Sequence, residues 1–255
     1  MVLLYLRRSS LSIRFIFNAY EKTKKRIKEI NKKLDSINYS ARDLNEKVLI
    51  NVALARRNMV DSIYKQAMLE GVATTYSDTE NIVNGGKVMN MTSNDIAKVI
   101  NLKRSWEFIL NDGVISYPTN YAILCQINSI IEDGFSCVAG RLRSVPVTIG
   151  GSTYMPPMPI EQMIKDDLDK ILNLNNDVID VTIELLLYVM KKQLFLDGNK
   201  RTAVIIANHY LISHGGIIVV PAELVSEYKK LLILYYEDRS DDIKLFLKNK
   251  CWINV

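Results

Sequence analysis

Glycine and proline are scarce in this chain of 255 residues, which contains 11 of the first and 6 of the second. Both residues interrupt helices, so their scarcity predicts a mostly helical protein. Histidine is rarer still, and the absence of HExxH and CxxC patterns excludes the common zinc sites. The cysteines Cys125, Cys137 and Cys251 are scattered without metal-binding spacing. They predict reduced thiols in a cytoplasmic protein.

Long apolar runs are also missing. The stretch from Val178 to Met190 is interrupted by Asp180 and Glu184 and is too short for a membrane span. The start, MVLLYLRRSS, places its charges after the apolar residues and is not followed by a small-residue cleavage site. We therefore expect neither a secretory signal nor a membrane partner.

Charge of one sign does not dominate, since 33 basic and 28 acidic residues give a net charge of +5. Much of the excess lies in KTKKRIKEINKK at 22–33, where Ile27, Ile30 and Leu34 recur at helical spacing. We expect an amphipathic helix with a solvated basic face. Nucleic-acid binding is the less favoured interpretation, because no aromatic residue interleaves the lysines.

Helical periodicity indicates a mainly α fold. The predicted helices cover 19–37, 43–69, 94–111, 118–133, 161–173, 178–192, 200–214, 222–235 and 240–248. Glycine and polar residues collect near 85–92, and we place a domain boundary there. The division predicts a helical N-terminal region over 1–90 and a second domain over 91–255.

One segment breaks the helical pattern. VPVTIGGSTYMPP at 145–157 has β-branched residues on both sides of Gly150 and Gly151, followed by two prolines. The pattern predicts a two-residue β-hairpin with a glycine turn. In a helical protein, the edges of a lone hairpin would be open to pair with another extended chain. A loop that only covers the core is the alternative, and the residues alone leave both roles open.

The stretch LFLDGNKRT at 194–202 separates two strongly apolar helical segments. We expect a helix–loop–helix joint in which the first N–H groups of the second helix, with Lys200 and Arg201, bind phosphate. Asp197 would then be a Mg²⁺ ligand, because a carboxylate without a cation repels phosphate. The spacing does not fit a Walker A loop. A helix N-cap at Asn199 is the alternative interpretation.

This stretch resembles the signature of the Fic (Fido) family, His-x-Phe-x-Asp/Glu-Gly-Asn-Gly-Arg-x-x-Arg. The matching positions are Phe195, Asp197, Gly198, Asn199 and Arg201. Gly140, Arg143 and the predicted hairpin resemble the family's target-binding flap, and AMLEGVATT at 67–75 resembles its inhibitory helix. The resemblance covers roughly 60–245, and three motifs in order are more specific than any one of them.

The resemblance implies a Fic-type helical bundle with one β-hairpin flap, and transfer of AMP from ATP and Mg²⁺ to a hydroxyl of a target protein. It implies catalytic positions at Gln193 and Arg201, a metal ligand at Asp197 and a regulatory residue at Glu70. The nucleotide-binding positions that it implies are Gly198, Asn199, Lys200 and Arg201. The flap positions that it implies for the target protein are Val147, Thr148, Ile149, Gly150, Gly151 and Tyr154. A homo-oligomer stays open.

Three positions depart from the family pattern: Gln193 replaces the histidine, Lys200 a glycine and Val204 the second arginine. An amide cannot act as a general base, and losing one typically costs a factor of roughly 10²–10⁴. The GNKR variant resembles the Doc branch, toxins that phosphorylate a translation factor. The hypotheses are therefore a slow transferase, a Doc-like protein kinase, or a nucleotide-binding pseudoenzyme that acts through a partner. Whether Gln193 is natural or engineered stays open.

Glu70 raises a related question. In the family, an S/T-x-x-x-E-G helix places its glutamate on the second signature arginine. Here Gln66 occupies the first position of that pattern and Val204 replaces the arginine. We expect Arg201 or Lys200 to pair with Glu70 instead, so that its carboxylate occupies phosphate space. In the alternative, Glu70 only caps or solvates the turn at Gly71.

Overall fold

The computed structural model describes residues 46–254. The helix predicted over 19–37 and the basic stretch at 22–33 lie outside the described residues. The described residues belong to one compact unit, Asn45–Val255. The boundary between 1–90 and 91–255 stays a prediction.

The described part of the chain is mainly helical. Its α-helices are α1 (Glu46–Arg57), α2 (Met59–Leu69), α3 (Tyr76–Val83), α4 (Ser93–Ile109), α5 (Asp112–Ile115), α6 (Tyr121–Ile131), α7 (Glu161–Leu172), α8 (Val178–Lys192), α9 (Asn199–Ile212), α10 (Val225–Tyr236) and α11 (Asp242–Lys250). A 3₁₀ turn at Ala222–Leu224 leads into α10. Two strands, β1 (Gly216–Ile218) and β2 (Trp252–Asn254), pair antiparallel, with Ile217 opposite Ile253.

The predicted fold class, mainly helical with one two-stranded β element, is confirmed. The β element lies elsewhere than predicted, however, because the two strands form from segments 216–218 and 252–254. Between 145 and 157 the chain has a turn, in which Ser152 N donates to Ile149 O at 3.1 Å, but no strand. The hairpin ladder predicted there is corrected to a loop.

The contacts of residues 145–157 explain why this segment forms a loop instead of a hairpin. Pro156 and Pro157 have no N–H group that could donate to a neighbouring strand. The guanidinium of Arg143 donates hydrogen bonds to the carbonyls of both prolines. The N–H of Thr153 donates to Glu237 Oε1 at 3.0 Å instead of to a facing strand. The backbone groups that a hairpin would pair are therefore satisfied by side chains from outside it.

Most helix predictions agree with the structure to within a few residues, and α8 was predicted at its observed bounds. The segment 43–69 is two helices, since the chain breaks at Asn58 between α1 and α2. Two helices were not predicted: α3, which begins after the N-cap Thr75, and α5, which is only four residues long. Short helices give too few repeats for a periodicity to be visible.

Helix α9 is the centre of the described fold. It packs against α8, α6, α4, α1 and β1, and all but two of its residues are buried. A helix buried on nearly every side lies inside a core, even though several of the buried residues of α9 are polar. Its N-terminus, where the sequence predicts phosphate binding, is consequently fixed by neighbours on several sides. In the described residues, no helix combines the length and apolarity needed to cross a membrane.

Candidate functional site

The loop between α8 and α9 contains two residues in the left-handed backbone region. Gln193 ends α8 with φ 46°, and Gly198 precedes α9 with φ 73°. A Cβ at Gly198 would lie 2.5 Å from Glu132 Oε1 and 3.0 Å from Ile131 Cγ2. Glycine is therefore required at 198 both by its backbone angle and by the carboxylate beside it.

Asn199 shapes this loop. Its Oδ1 accepts from Phe195 N at 2.9 Å, and its Nδ2 donates to Phe195 O at 2.8 Å. The N-cap position belongs to Gly198, which makes no side-chain capping bond. The amide of Asn199 thus holds Phe195 rather than capping the helix, and the first N–H groups of α9 have no side-chain cap.

Five charged residues meet at the start of α9, and we call them the Arg201 cluster: Glu70, Glu132, Asp197, Lys200 and Arg201. Arg201 Nη2 lies 2.9 Å from Glu132 Oε1 and 3.7 Å from Asp197 Oδ1. Glu70 reaches the cluster from the end of α2, with Oε2 3.7 Å from Arg201 Nε and Oε1 3.8 Å from Lys200 Nζ. The structure thus brings Glu70 to the two cations that the sequence suggested as its partners.

Burial makes this cluster unusual. The side chains of Arg201 and Glu132 are only 6% and 3% exposed, whereas that of Asp197 is 76% exposed. Burial raises the pKa of Glu132 above its ordinary value, and the positive charge of Arg201 opposes that shift. Buried charges of both signs are held close together at the mouth of a helix, where an anion would be favoured.

Four buried side-chain atoms in the described residues have no hydrogen-bond partner: Glu70 Oε1, Glu132 Oε1, Arg201 Nε and Tyr236 Oη. Three belong to the Arg201 cluster, in which the ion pairs are close but lack hydrogen-bond geometry. Tyr236 lines the adjacent cavity and lies near enough to Glu70 for that charge to affect its pKa. Buried polar groups are normally satisfied, so three unpartnered atoms in one cluster distinguish this place from the rest of the described core.

Gln66 fixes the position of Glu70. Its Nε2 donates to the carbonyl of Arg201 at 2.9 Å, and its Oε1 accepts from Trp106 Nε1 at 3.2 Å. Gln66 and Trp106 are both buried. The last turn of α2 is thereby tied to the first turn of α9, which places Glu70 beside Lys200 and Arg201 at the N-terminus of α9.

Gln193 lies on the other side of the loop. Its Nε2 donates to the carbonyl of Met190 at 2.6 Å, so the amide is turned back on its own helix. The residue also lines a cavity of about 380 Å³. The remaining walls come from α2, the loop at 145–157, the start of α9 and α10: Leu69, Thr148, Ile149, Gly150, Lys200, Tyr228, Lys229, Leu232, Ile233 and Tyr236.

Arg143 joins the 145–157 loop to the signature loop. Its Nε donates to Gln193 O at 2.6 Å and its Nη1 to Val145 O at 2.9 Å. Its Nη2 donates to the carbonyls of Pro156 at 3.1 Å and Pro157 at 2.6 Å. One buried guanidinium therefore holds both ends of the 145–157 loop against the backbone of Gln193.

Glu237 holds the tip of the same loop. Its Oε1 accepts from Thr153 N at 3.0 Å and lies 3.4 Å from Ser152 Oγ. The hydrogen bond from the Thr153 backbone lowers the pKa of Glu237 below its ordinary value. At the glycine turn, Gly151 has φ 83° and approaches Ile233, whose Cδ1 would lie 3.2 Å from an added Cβ.

The remaining predicted loop residues divide into two groups. Thr148, Ile149 and Gly150 face the cavity, and Val147 is partly buried beside them. Tyr154 is turned toward α8, where Lys191 Nζ lies 5.3 Å from the centre of its ring. The predicted target-binding residues are thus all on one anchored loop, but only part of them faces the cavity.

Both histidines lie away from the loop between α8 and α9. His209 is buried on α9, with Nδ1 2.8 Å from Thr119 Oγ1 and Nε2 3.0 Å from the carbonyl of Val114. Burial lowers the pKa of His209. Both of its ring nitrogens are engaged away from the loop, and His214 lies beyond the end of α9.

A family model described as Fic/DOC family matches residues 118–211. Fic-1 (residues 134–508) from C. elegans is similar in structure, with a TM-score of 0.63 at 19% identity over 89% of this chain and 70% of that one. A Fic domain containing signaling protein from Bacteroides thetaiotaomicron gives 0.62 at 19% identity over 78% and 79% of the two chains. A Fic family protein from Desulfovibrio desulfuricans gives 0.63 at 15% over 82% and 71%.

Over residues 118–211 this chain matches the Fic/DOC family, and its described part has the fold of Fic proteins. No curated protein matches it, and the identities to the solved structures are low, so those likenesses establish the fold alone. The recognition made on the signature residues is confirmed by the matched range, which contains the loop, all of α6 and α8, and α9 as far as Leu211.

The described residues offer few side-chain ligands for a metal ion. No group of three or more potential ligands among His, Cys, Asp and Glu occurs in the described residues. Asp197 is exposed at the mouth of the loop, and its Oδ1 accepts from Gly198 N at 2.6 Å. One carboxylate beside an anion site fits Mg²⁺ that arrives bound to phosphates, since Mg²⁺ is usually held by one or two carboxylates together with substrate oxygens.

Two residues that contact the loop or Arg201, Glu132 and Asn128, were not predicted from the sequence. Glu132 follows α6 and looks like a helix-end acid next to Asp133 and Gly134, so nothing in the pattern distinguishes it. Asn128 donates to Asp197 O and Thr202 Oγ1, both at 3.1 Å, and its Oδ1 accepts from Gly140 N. A buried asparagine on the apolar face of α6 was the available signal.

Proposed function

We propose that this Fic-domain protein binds Mg²⁺–ATP between the N-terminus of α9 and the neighbouring cavity, and that its transfer of AMP to a target hydroxyl is slow or absent. Two of the unpartnered buried atoms, Arg201 Nε and Tyr236 Oη, carry the proposal. A polyphosphate would offer acceptors to Arg201, and the nucleoside would offer polar atoms to Tyr236. The uncapped N–H groups of α9 add further donors for an anion.

The cavity supports a nucleotide rather than phosphate alone. Its volume of about 380 Å³ falls within the range of small-molecule pockets. Lys200 lines the cavity and also belongs to the Arg201 cluster, so the two spaces adjoin. Phosphates at the start of α9 would leave the base and sugar among the apolar and tyrosine side chains of α10.

Magnesium enters the proposal through Asp197. When bound, Mg²⁺ would neutralise part of the phosphate charge and favour departure of the leaving phosphates. Asp197 would hold it from the exposed side of the loop, while Arg201 contacts the phosphates from the buried side.

The proposed transfer forms a bond between a target hydroxyl oxygen and the α-phosphorus of ATP, and it breaks the bond to the β-phosphate, so that pyrophosphate leaves. The hydroxyl proton must be accepted by a base. Gln193 cannot accept it at neutral pH and can only orient the hydroxyl, so the proton passes to solvent. Positioning and charge stabilisation by Lys200 and Arg201 would remain.

Two further candidates have their own observations. Lys200 stands where the family has glycine and reaches the cavity, which favours a Doc-like route that transfers the γ-phosphate. Gln193 is hydrogen-bonded to its own helix, which favours a pseudoenzyme that binds nucleotide and acts through a partner. Toxin activity would accompany the Doc-like route.

Labelled ATP distinguishes these candidates. The purified chain and its Gln193→His variant are incubated in lysate with ATP labelled at the α- or the γ-phosphate, and Gln162→His serves as an exposed control for the same substitution. Restoring the base should raise transfer of the α-label by roughly 10²–10⁴-fold. Transfer of the γ-label alone would support the Doc-like route. If Gln193→His transfers neither label, the transferase proposal is wrong and the pseudoenzyme remains.

A further inference from the structure

Glu132 is a buried acid in a site built to bind an anion. Its carboxylate lies 2.9 Å from Arg201 Nη2, the nitrogen that Asp197 Oδ1 also approaches at 3.7 Å. Its side chain is 3% exposed, and removing a carboxylate from water is costly unless it is paired. A glycine at 198 is needed to leave room for it. The fold thus accommodates Glu132 at a cost, which suggests a role beyond packing.

Two acids lie beside different nitrogens of the same guanidinium. Glu70 from α2 lies beside Nε, and Glu132 after α6 lies beside Nη2. An arginine grips phosphate best through two parallel N–H groups. Withdrawing Glu70 alone would remove the negative charge beside Nε, but Nη2 would still face Glu132 at 2.9 Å and Asp197 at 3.7 Å.

We propose that Glu132 is a second internal counter-ion of Arg201, which withholds the guanidinium from phosphate independently of Glu70. The inference rests on the proposed nucleotide site and concerns its regulation. Full access of phosphate to Arg201 requires the release of both acids. The chain therefore carries two inhibitory carboxylates on one arginine. A movement of α2 would withdraw Glu70 but would leave Glu132 in place.

Affinity for Mg²⁺–ATP measured by calorimetry on the full chain tests this proposal. The variants are Glu132→Gln, Glu70→Gln, the double variant, and Asp133→Asn as a control. Asp133 is the adjacent acid, is 57% exposed and pairs with Arg104 away from the cluster. Each single glutamine substitution in the cluster should tighten binding by about tenfold, and the double variant should bind more tightly than either. Asp133→Asn should change affinity by less than twofold.

The outcomes separate the two proposals. If Glu132→Gln matches Asp133→Asn, or weakens binding, Glu132 is not an inhibitor of Arg201, although the nucleotide site stands. If neither the original chain nor any variant binds Mg²⁺–ATP, the proposed function fails and this inference with it. Should Glu132→Gln not fold, Glu132→Asp keeps the charge and withdraws it by one methylene. It should then tighten binding by a smaller factor, and unchanged affinity would overturn the proposal.

Discussion

At the scale of single residues, the site is defined by groups that lack partners. Arg201 and Glu132 are buried, close and still short of hydrogen bonds, and Tyr236 has an unpartnered hydroxyl at 2% exposure. Such groups destabilise the free protein, because each gives up bonds to water without replacing them. Function is the ordinary reason for keeping them, since a ligand restores the missing bonds.

Tyr236→Phe tests this reasoning, because it should make the ligand-free chain more stable and its binding of Mg²⁺–ATP weaker. Removing the unpartnered hydroxyl should raise the free energy of unfolding of the ligand-free chain by about 1 kcal/mol. It should weaken Mg²⁺–ATP binding by about three- to tenfold, because the ligand loses a buried partner. Denaturant unfolding and calorimetry measure the two quantities.

Tyr228→Phe is the matched control for that substitution. Tyr228 is on the same helix and is buried, but its hydroxyl donates to Met190 Sδ at 2.9 Å. Loss of the Tyr228 hydroxyl should lower the free energy of unfolding slightly, because its hydrogen bond to Met190 disappears. If the two phenylalanine variants behave alike in both measurements, the missing partner of Tyr236 has no bearing on the ligand.

Single residues also show where sequence reasoning ends. Glycine is required at 198, and Glu70 lies near Arg201. Both observations agree with motifs that are visible in the sequence, the signature stretch and the segment at 67–75. Glu132 is 69 positions from Arg201, so no local spacing indicates that they touch. Its role depends on α6 and α9 lying side by side, and that packing follows from tertiary contacts.

At the scale of elements, the loop at 145–157 is held at both ends and at its tip. Arg143 fixes the two ends, Glu237 fixes the tip, and Lys191 lies over Tyr154. The sequence predicted a hairpin there because alternating β-branched residues around a glycine pair usually form one. Side chains from distant elements take the backbone groups instead, and a local pattern cannot reveal such competition.

Glu237→Gln should loosen the tip of this loop. Its carboxylate accepts from Thr153 N, and an amide is a weaker acceptor than a charged group. Hydrogen exchange over residues 148–153 should accelerate by about three- to tenfold. Glu227→Gln on the same helix is the control, since Glu227 pairs with Lys250 away from the loop. Equal exchange in both variants would show that Glu237 does not hold the loop.

Lowering the pH should loosen the tip of the 145–157 loop in the same way as Glu237→Gln. The pKa of Glu237 is lowered in the folded state, so its contribution is present above the ordinary glutamate pKa of about 4.3 and is lost as pH falls through the lowered value. Protection of residues 148–153 in the original chain should therefore persist at pH 5 and decline only in more acidic solution. Protection lost already near neutral pH would point to another group.

At the scale of the whole molecule, the described chain is a helical Fic fold around a buried α9. The order of its motifs along the chain agrees with the way the structure assembles them, because α2, α6, α8 and α10 all reach the N-terminus of α9 or the cavity beside it. The fold class could be predicted from periodicity and the signature. The β1–β2 pair could not, since strands of three residues leave too weak a pattern.

The central claim is that the Arg201 cluster binds Mg²⁺–ATP, and calorimetry of the full chain with and without magnesium tests it most directly. The original chain should bind ATP more tightly with Mg²⁺, Asp197→Asn should lose most of that dependence, and Arg201→Lys should bind about tenfold more weakly because lysine lacks the guanidinium fork. Asp133→Asn should behave like the original chain. Binding that is absent throughout, or equal in all four proteins, would contradict the account.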